Sequence, residues 1–186
     1  MKHSPRDALT ILCLAVLLAV GGAVTWALWP WLNASFGGLA SVAVVVTFCL
    51  ATGLIGLGYL RALNRVFPLK PGIYDMDDAQ CFLWKHHAIM RDVCQRLLRP
   101  FFPLFLSPVL GKLLGMRLGR DATLATHGVV ADPILTELGD HAVVGENACV
   151  TAHAVTDNKL ILDPVVIGAG ATVGIHVTLM PGVRIG

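Results

Sequence analysis

A long apolar stretch at the N-terminus dominates the pattern of hydrophobic and polar positions. No Lys, Arg, Asp or Glu occurs between Asp7 and Arg61, an interval that accommodates two bilayer-spanning helices of about 20 residues each. The pattern predicts the first helix over residues 8–29 and the second over residues 38–60. Residues 30–37 contain a proline, polar residues and a tryptophan, which predicts the turn between the two helices.

The positive charges that flank the apolar stretch predict its orientation. Lys2 and Arg6 precede the first helix and Arg61 and Arg65 follow the second, while the loop between them carries no positive charge. The positive-inside bias therefore predicts a multi-pass protein of the cell (inner) membrane, with the C-terminal domain in the cytoplasm. A cleaved signal peptide over residues 1–24 is the alternative, although the apolar run is long for a signal and a second apolar segment follows.

Between the apolar stretch and the C-terminal region, residues 67–117 predict an amphipathic, interfacial helical linker. Residues 77–98 carry apolar side chains at helical spacing, and Asp77 or Asp78 is the predicted N-cap. The apolar segment that follows is interrupted by two prolines and is too short for another span. We expect it to lie against the bilayer or the hairpin, with the arginines of this region facing phosphate headgroups or water.

From Leu118 onward the pattern changes to a repeat of about six residues. Short periods of this kind predict a parallel β-solenoid, in which three repeats form one triangular coil around an apolar interior. Residues 118–186 are therefore the third predicted domain, after the membrane helices of residues 1–66 and the linker. The inward-facing aliphatic positions are Leu138, Val144 and Val150, and then Ile167, Val173, Leu179 and Ile185.

The repeat is interrupted once and stops within a coil. Residues 156–164 do not keep the six-residue step, so we expect an inserted loop there, where functional residues are often found. The chain ends at Gly186 at the start of a repeat, and a solenoid without a polar capping repeat exposes an apolar edge. The pattern thus predicts a solenoid that is truncated at its C-terminus.

Composition excludes some classes of function. Of the 186 residues, 55% are hydrophobic and 14% are charged, and the net charge of +2 gives no basic footprint for nucleic acid. The five cysteines include no CxxC pair, which argues against a disulfide framework or a zinc site. Free thiols agree with a cytoplasmic location.

A histidine beside the interruption carries a family resemblance. His153 lies in the segment Thr151-Ala-His153, and Pro164-Val-Val-Ile-Gly168 and Pro181-Gly-Val-Arg-Ile-Gly186 follow the inserted loop. In this order and spacing, the C-terminal domain resembles the hexapeptide-repeat acyltransferases, such as the maltose and galactoside acetyltransferases. The resemblance implies a left-handed parallel β-helix after the membrane α-helical hairpin.

The whole chain is similar to a narrower group, the C-terminal membrane region of polylysine-synthetase-type peptide synthetases. The matching elements are the pair of membrane helices, Pro71-Gly-Ile-Tyr74 and Leu114-Gly-Met-Arg-Leu-Gly119. In that group, similar helical hairpins alternate with acyltransferase-like lobes.

The resemblance implies acyl transfer with His153 as the general base. An acyl group such as acetyl would pass from acetyl-CoA, or from an acyl-carrier thioester, to a hydroxyl or amine of a small molecule or peptide. The thioester is a co-substrate, and no permanently bound cofactor or metal is expected. The implied assembly is a homotrimer with sites between subunits. Without the resemblance, a structural hydrogen bond is the simpler role for this histidine.

The other candidate residues of the repeat carry less support than His153. His127, His141 and His176 have weaker contexts, and Cys149 has no identifiable partner base.

Two other functions stay open. A carbonic-anhydrase-like zinc enzyme would use three histidines, two of them five residues apart, and the histidines of the repeat do not show that spacing. The other alternative is a non-catalytic or truncated scaffolding module of a peptide-synthetase-like system, in which His153 is present without transfer activity.

Overall fold

An apolar helical segment begins the fold. The computed structural model describes residues 6–125 and 127–186, so the predicted role of Lys2 in orienting the chain lies outside the described residues. Helix α1 runs Asp7–Phe36 and helix α2 runs Ala40–Val66, with a 3₁₀ turn between them. By length and composition, the segment Asp7–Val66 is long and apolar enough to cross a membrane.

The turn between the two helices begins later than the sequence predicts. Pro30 lies inside α1, which continues to Phe36, so the prediction that the turn begins at Pro30 is wrong. A proline in a helix removes one backbone hydrogen bond, yet α1 is continuous through Pro30. The chain turns at Gly37, where a φ of +50° favours a residue without a Cβ.

Small residues bring α1 and α2 into close contact. A Cβ on Gly21 would overlap Thr52 Oγ1, and a Cβ on Gly56 would lie 3.2 Å from the nearest methyl carbon of Leu17. Because the earlier residue of α1 faces the later residue of α2, the two helices run antiparallel. Close packing of this kind is typical of helices that associate through small residues rather than through large apolar ones.

A third helix, α3 (Ala79–Leu98), packs against α2. The Asp78 carboxylate accepts a hydrogen bond from the Gln80 backbone N–H at 2.7 Å, so Asp78 is the N-cap of this helix. At its other end, α3 is held close because the buried Leu98 fills the space beside Gly53. A large side chain at that glycine would separate the two helices.

Polar contacts also join α3 to the start of α1 and the end of α2. Lys85 Nζ lies 3.1 Å from the Asp7 carboxylate. His86 Nδ1 lies 2.8 Å from Thr10 Oγ1, and its Nε2 lies 2.7 Å from the Tyr59 hydroxyl. Both ring nitrogens of this buried histidine are therefore satisfied, which fixes the position of α3 on the two helices.

Short parallel strands form the C-terminal part, after the helix α4 (Ser107–Leu113). Their inward apolar side chains are buried; Leu138, Val144, Val150, Ile167 and Val173 are each at most 2% exposed. In spatial order, the first parallel sheet contains β13 (Arg184–Ile185), β10 (Val165–Ile167), β5 (Thr136–Leu138) and β2 (Arg117–Leu118). The second contains β11 (Thr172–Val173), β6 (Val143–Val144) and β3 (Thr123–Leu124). The third contains β12 (Thr178–Leu179), β7 (Cys149–Val150) and β4 (Val129–Val130).

The segment predicted as an inserted loop is a β-hairpin. Strands β8 (His153–Thr156) and β9 (Lys159–Leu162) pair antiparallel, and Asp157 and Asn158 between them both have positive φ, at 47° and 58°. Two such residues are typical of the tight turns that match the twist of a hairpin. Strand β1 (Gly72–Asp75) adds to the other edge of β9, so the Pro-Gly-Ile-Tyr element is part of this antiparallel sheet.

The predicted fold class is wrong. The sequence predicted a membrane helical hairpin followed by a left-handed parallel β-helix, truncated at its C-terminus. The structure has a long N-terminal helical segment followed by small parallel and antiparallel sheets of short strands, and no left-handed β-helix solenoid is evident in the described residues. The six-residue repeat is interrupted at two places. One is the 3₁₀ turn at Pro133–Leu135, and the other is the hairpin, which does not join the parallel sheets and pairs with β1 instead.

Candidate functional site

The parallel register of β4 and β7 places Asp132 beside Ala152. Val130 pairs with Val150, so the residues two positions further along each chain are again neighbours. The Ala152 backbone N–H donates a hydrogen bond to Asp132 Oδ2 at 3.0 Å. The carboxylate is thereby fixed one residue away from His153.

The backbone of Asp132 is held by the residues that follow it. Pro133 restricts the preceding residue to extended conformations, and Asp132 has a φ of −132° and a ψ of 76°. The Thr136 hydroxyl donates a hydrogen bond to the Asp132 carbonyl at 2.9 Å. The 3₁₀ turn that interrupts the repeat therefore points this carboxylate inward.

The imidazole of His153 is paired with this carboxylate. His153 Nδ1 lies 2.6 Å from Asp132 Oδ2 and 3.1 Å from Thr151 Oγ1. A carboxylate accepts a hydrogen bond, so the neutral imidazole carries its proton on Nδ1 and has its lone pair on Nε2. Nε2 is then the nitrogen that is available to take a proton from a substrate.

Trp84 of α3 completes the site from the helical side. Its indole Nε1–H donates a hydrogen bond to Asp132 Oδ1 at 3.1 Å. Its ring also lies against the imidazole of His153, with centroids 4.6 Å apart and planes inclined by 52°. One aromatic side chain therefore orients both members of the pair.

Burial and charge differ between the two members of the pair. The side chain of Asp132 is 4% exposed, whereas that of His153 is 28% exposed. Burial raises the pKa of the Asp132 carboxyl. The hydrogen bond and charge of His153, together with the hydrogen bonds from Trp84 and Ala152, lower it by more, so the net pKa is below the usual value. The carboxylate stays ionised and the imidazole remains accessible.

This arrangement is chemically suited to one elementary step, the acceptance of a proton. A buried carboxylate that holds Nδ1–H stabilises the imidazolium that forms when Nε2 takes a proton. The ring of His153 is partly exposed, so it is not sealed inside the protein. The group is therefore equipped to act as a general base.

The other histidines and Cys149 lie elsewhere. His127 contacts Glu146 and its side chain is 70% exposed, while the side chain of His141 is 67% exposed. No hydrogen bond or ion pair joins either of them, or His176, to His153 in the described part of the chain. Within residues 6–125 and 127–186, no three His, Cys, Asp or Glu side chains are grouped so as to hold a metal ion.

Sequence reasoning proposed His153 as a site residue but did not predict its contacts with Asp132 and Trp84. Asp132 lies before a proline at an irregular step of the repeat, and that irregularity was the one available signal for it. Trp84 lies on a helix 48 residues earlier, and nothing in its neighbours indicates a contact with the strands. The chain matches no protein-family model and no curated protein.

Proposed function

We propose that this protein is a membrane-anchored acyltransferase with His153 as its general base. It moves an acyl group such as acetyl from acetyl-CoA, or from an acyl-carrier thioester, to a hydroxyl or amine. The observation that carries this proposal is the pairing of His153 Nδ1 with the buried Asp132 carboxylate at 2.6 Å. The resemblance of the flanking segments to hexapeptide-repeat acyltransferases supplies the substrate class.

The transfer step uses the two ring nitrogens in different roles. Nε2 of His153 takes the proton from the acceptor O–H or N–H as the acceptor oxygen or nitrogen forms a bond to the thioester carbonyl carbon. Asp132 stabilises the resulting imidazolium through Nδ1–H. The tetrahedral intermediate then collapses with cleavage of the C–S bond, and the leaving thiolate takes the proton back from Nε2. The thioester is a co-substrate that leaves as the free thiol.

Membrane anchoring rests on the apolar helical segment. Large apolar side chains of α1 and α2 point away from the rest of the chain, among them Ile11, Trp26 and Val42, which are at least 60% exposed. Exposed apolar surface of this extent is typical of membrane contact. The proposed topology is multi-pass, with α1 and α2 crossing the cell (inner) membrane in opposite directions and the strands in the cytoplasm, where acetyl-CoA is found.

The partners proposed for the site follow from its exposure. His153 opens at the surface of a single chain, and the acyltransferases that the chain resembles form their sites between the subunits of a homotrimer. A second subunit would cover His153 and exclude water from the reacting carbonyl. A small molecule or a peptide is the proposed acceptor.

The test is release of thiol from acetyl-CoA by the detergent-purified protein in the presence of a panel of amines and alcohols. We expect acceptor-dependent release by the wild type and a loss of about 10²-fold or more in His153→Ala. His141→Ala is the matched control, because it removes an exposed histidine of the same domain, and it should retain full activity.

Two outcomes contradict the proposal. Background release by a folded wild-type protein, equal to that of His153→Ala, would favour the non-catalytic scaffolding module. Release that persists in His153→Ala would show that another group removes the proton.

A further inference from the structure

A cleft lined in part by Asp132 lies between α2, α3 and the segment that enters the 3₁₀ turn at Pro133. Its volume is about 50 Å³. Its floor includes Trp84 and Asp132, and its other walls are mainly apolar. The polar side chains that line the rest of it are Arg61, Asn64, His87 and Arg91.

Two buried nitrogens at this cleft have no hydrogen-bond partner. They are His87 Nε2 and Arg91 Nε, and no described residue satisfies either of them. His87 is 8% exposed. The two residues are four positions apart on α3 and therefore lie on one face of the helix. Unsatisfied buried donors cost stability, and proteins retain them mainly where a ligand or an ordered water binds.

The charges at the cleft favour an anion. Arg61 is held in place by its own hydrogen bonds, since its Nε donates to the Leu113 carbonyl at 3.1 Å and one Nη donates to the Lys112 carbonyl at 3.3 Å. Arg91 has no ion-pair partner within 4.0 Å among the described residues. The Nε atom of Arg91 is buried at the cleft.

The electrostatic surroundings of the two unsatisfied groups differ. Burial lowers the pKa of Arg91, while the charges of Asp132 and Asp92 raise it by less, so its net pKa lies below the usual value. Burial, followed by the charges of His86 and Arg91, lowers the pKa of His87 to about 4, so its ring is neutral at pH 7 and presents a donor or an acceptor. The Asp132 carboxylate already accepts hydrogen bonds from Trp84, Ala152 and His153.

We propose that the cleft binds a small oxyanion of the phosphate type, with Arg91 and His87 as its principal contacts. Guanidinium groups bind such anions through charge-assisted, geometrically defined hydrogen bonds. This inference goes beyond the proposed acyl transfer and does not depend on it. Arg61 and Asn64 belong to the last turns of α2, just after the apolar part of the helix. In the proposed membrane topology, the cleft therefore lies at the depth of lipid headgroups. The anion is therefore either soluble phosphate or the phosphate of a lipid headgroup.

The experiment measures binding of inorganic phosphate to the full-length protein in detergent by isothermal titration calorimetry. We expect saturable binding at about one site per chain, weakened by about tenfold or more in Arg91→Gln. Arg96→Gln is the matched control, since it removes the same charge from the same helix at a side chain that is 78% exposed, and its affinity should equal that of the wild type.

Two further arms identify the source and protect the test against misfolding. Phosphatidylglycerol nanodiscs that suppress the titration, compared with a phosphate-free maltoside detergent, would assign the site to a lipid headgroup; equal titrations would assign it to soluble phosphate. Arg91→Lys keeps the charge and should bind more weakly than the wild type but more tightly than Arg91→Gln. No saturable binding by the wild type, or equal weakening by Arg91→Gln and Arg96→Gln, would overturn the proposal.

Discussion

Replacing Asp132 by asparagine tests how the candidate site is held together. Asp132 Oδ1 accepts a hydrogen bond from Trp84, and Oδ2 accepts hydrogen bonds from the Ala152 N–H and from His153 Nδ1. Asparagine has the same shape but offers one oxygen and one NH₂ group. In either orientation of the amide, the NH₂ faces an N–H donor, so at least one buried donor loses its acceptor.

The magnitude follows from these contacts. A buried donor without a partner costs about 1–3 kcal/mol, and a charge-assisted hydrogen bond contributes about twice as much as a neutral one. We expect Asp132→Asn to reduce the free energy of unfolding by about 2–3 kcal/mol. For a chain of this size, that corresponds to a decrease in Tm of about 4–12 °C.

The assay is thermal unfolding in detergent, followed by tryptophan fluorescence, with Asp121→Asn as the matched control. The side chain of Asp121 is 80% exposed, so its replacement should leave Tm nearly unchanged. Because folding lowers the pKa of Asp132, its contribution is complete above the unfolded value of about 3.8 and is lost as the pH falls through the lower folded value. Equal Tm values for the two variants at pH 7 would refute the proposed role of Asp132.

Three further predictions concern packing, pH and thiol reactivity. Gly56→Leu should lower Tm by several degrees because a side chain there meets Cys94 Sγ. Gly58→Leu is the control, since Gly58 has open space around it and its replacement should not lower Tm. Equal Tm values for the two variants would contradict the packing of α3 on α2. Folding lowers the pKa of His87 to about 4, so the free energy of unfolding should fall by about 3 kcal/mol as the pH drops from 6.5 to 4. A series of thermal melts across this pH range should show a smaller dependence on pH in His87→Gln. Burial raises the pKa of Cys94 to about 11, so its thiol should react slowly. Mass spectrometry after brief maleimide treatment of the native protein should find Cys149 labelled and Cys94 unmodified. Labelling of Cys94 before Cys149 would contradict the burial of α3.

The six-residue period predicted which side chains face inward, but not the fold class. Leu138, Val144 and Val150 are buried in short strands because each six-residue step returns an aliphatic side chain to the interior. The same period does not determine where strands leave the ladders. Strand β9 of the hairpin pairs with β1, whose residues lie 84 to 90 positions earlier in the chain, and no local pattern encodes such a partner.

The candidate site was predictable only in part for the same reason. His153 is recognisable from the residues beside it in the sequence. Its contact with Asp132 depends on the parallel register of β4 and β7, across 21 residues, and its contact with Trp84 depends on how α3 docks against the strands. Contacts that arise from strand register and helix docking have no signature in the local sequence, so the amino-acid sequence alone did not predict them.

The most direct test of the central claim is a double-mutant cycle on thiol release from acetyl-CoA. If Asp132 acts only through His153, the single variants Asp132→Asn and His153→Ala should both be impaired, and the double variant should lose no more than His153→Ala alone. Losses that add in the double variant would show that the two residues act independently and would contradict the account.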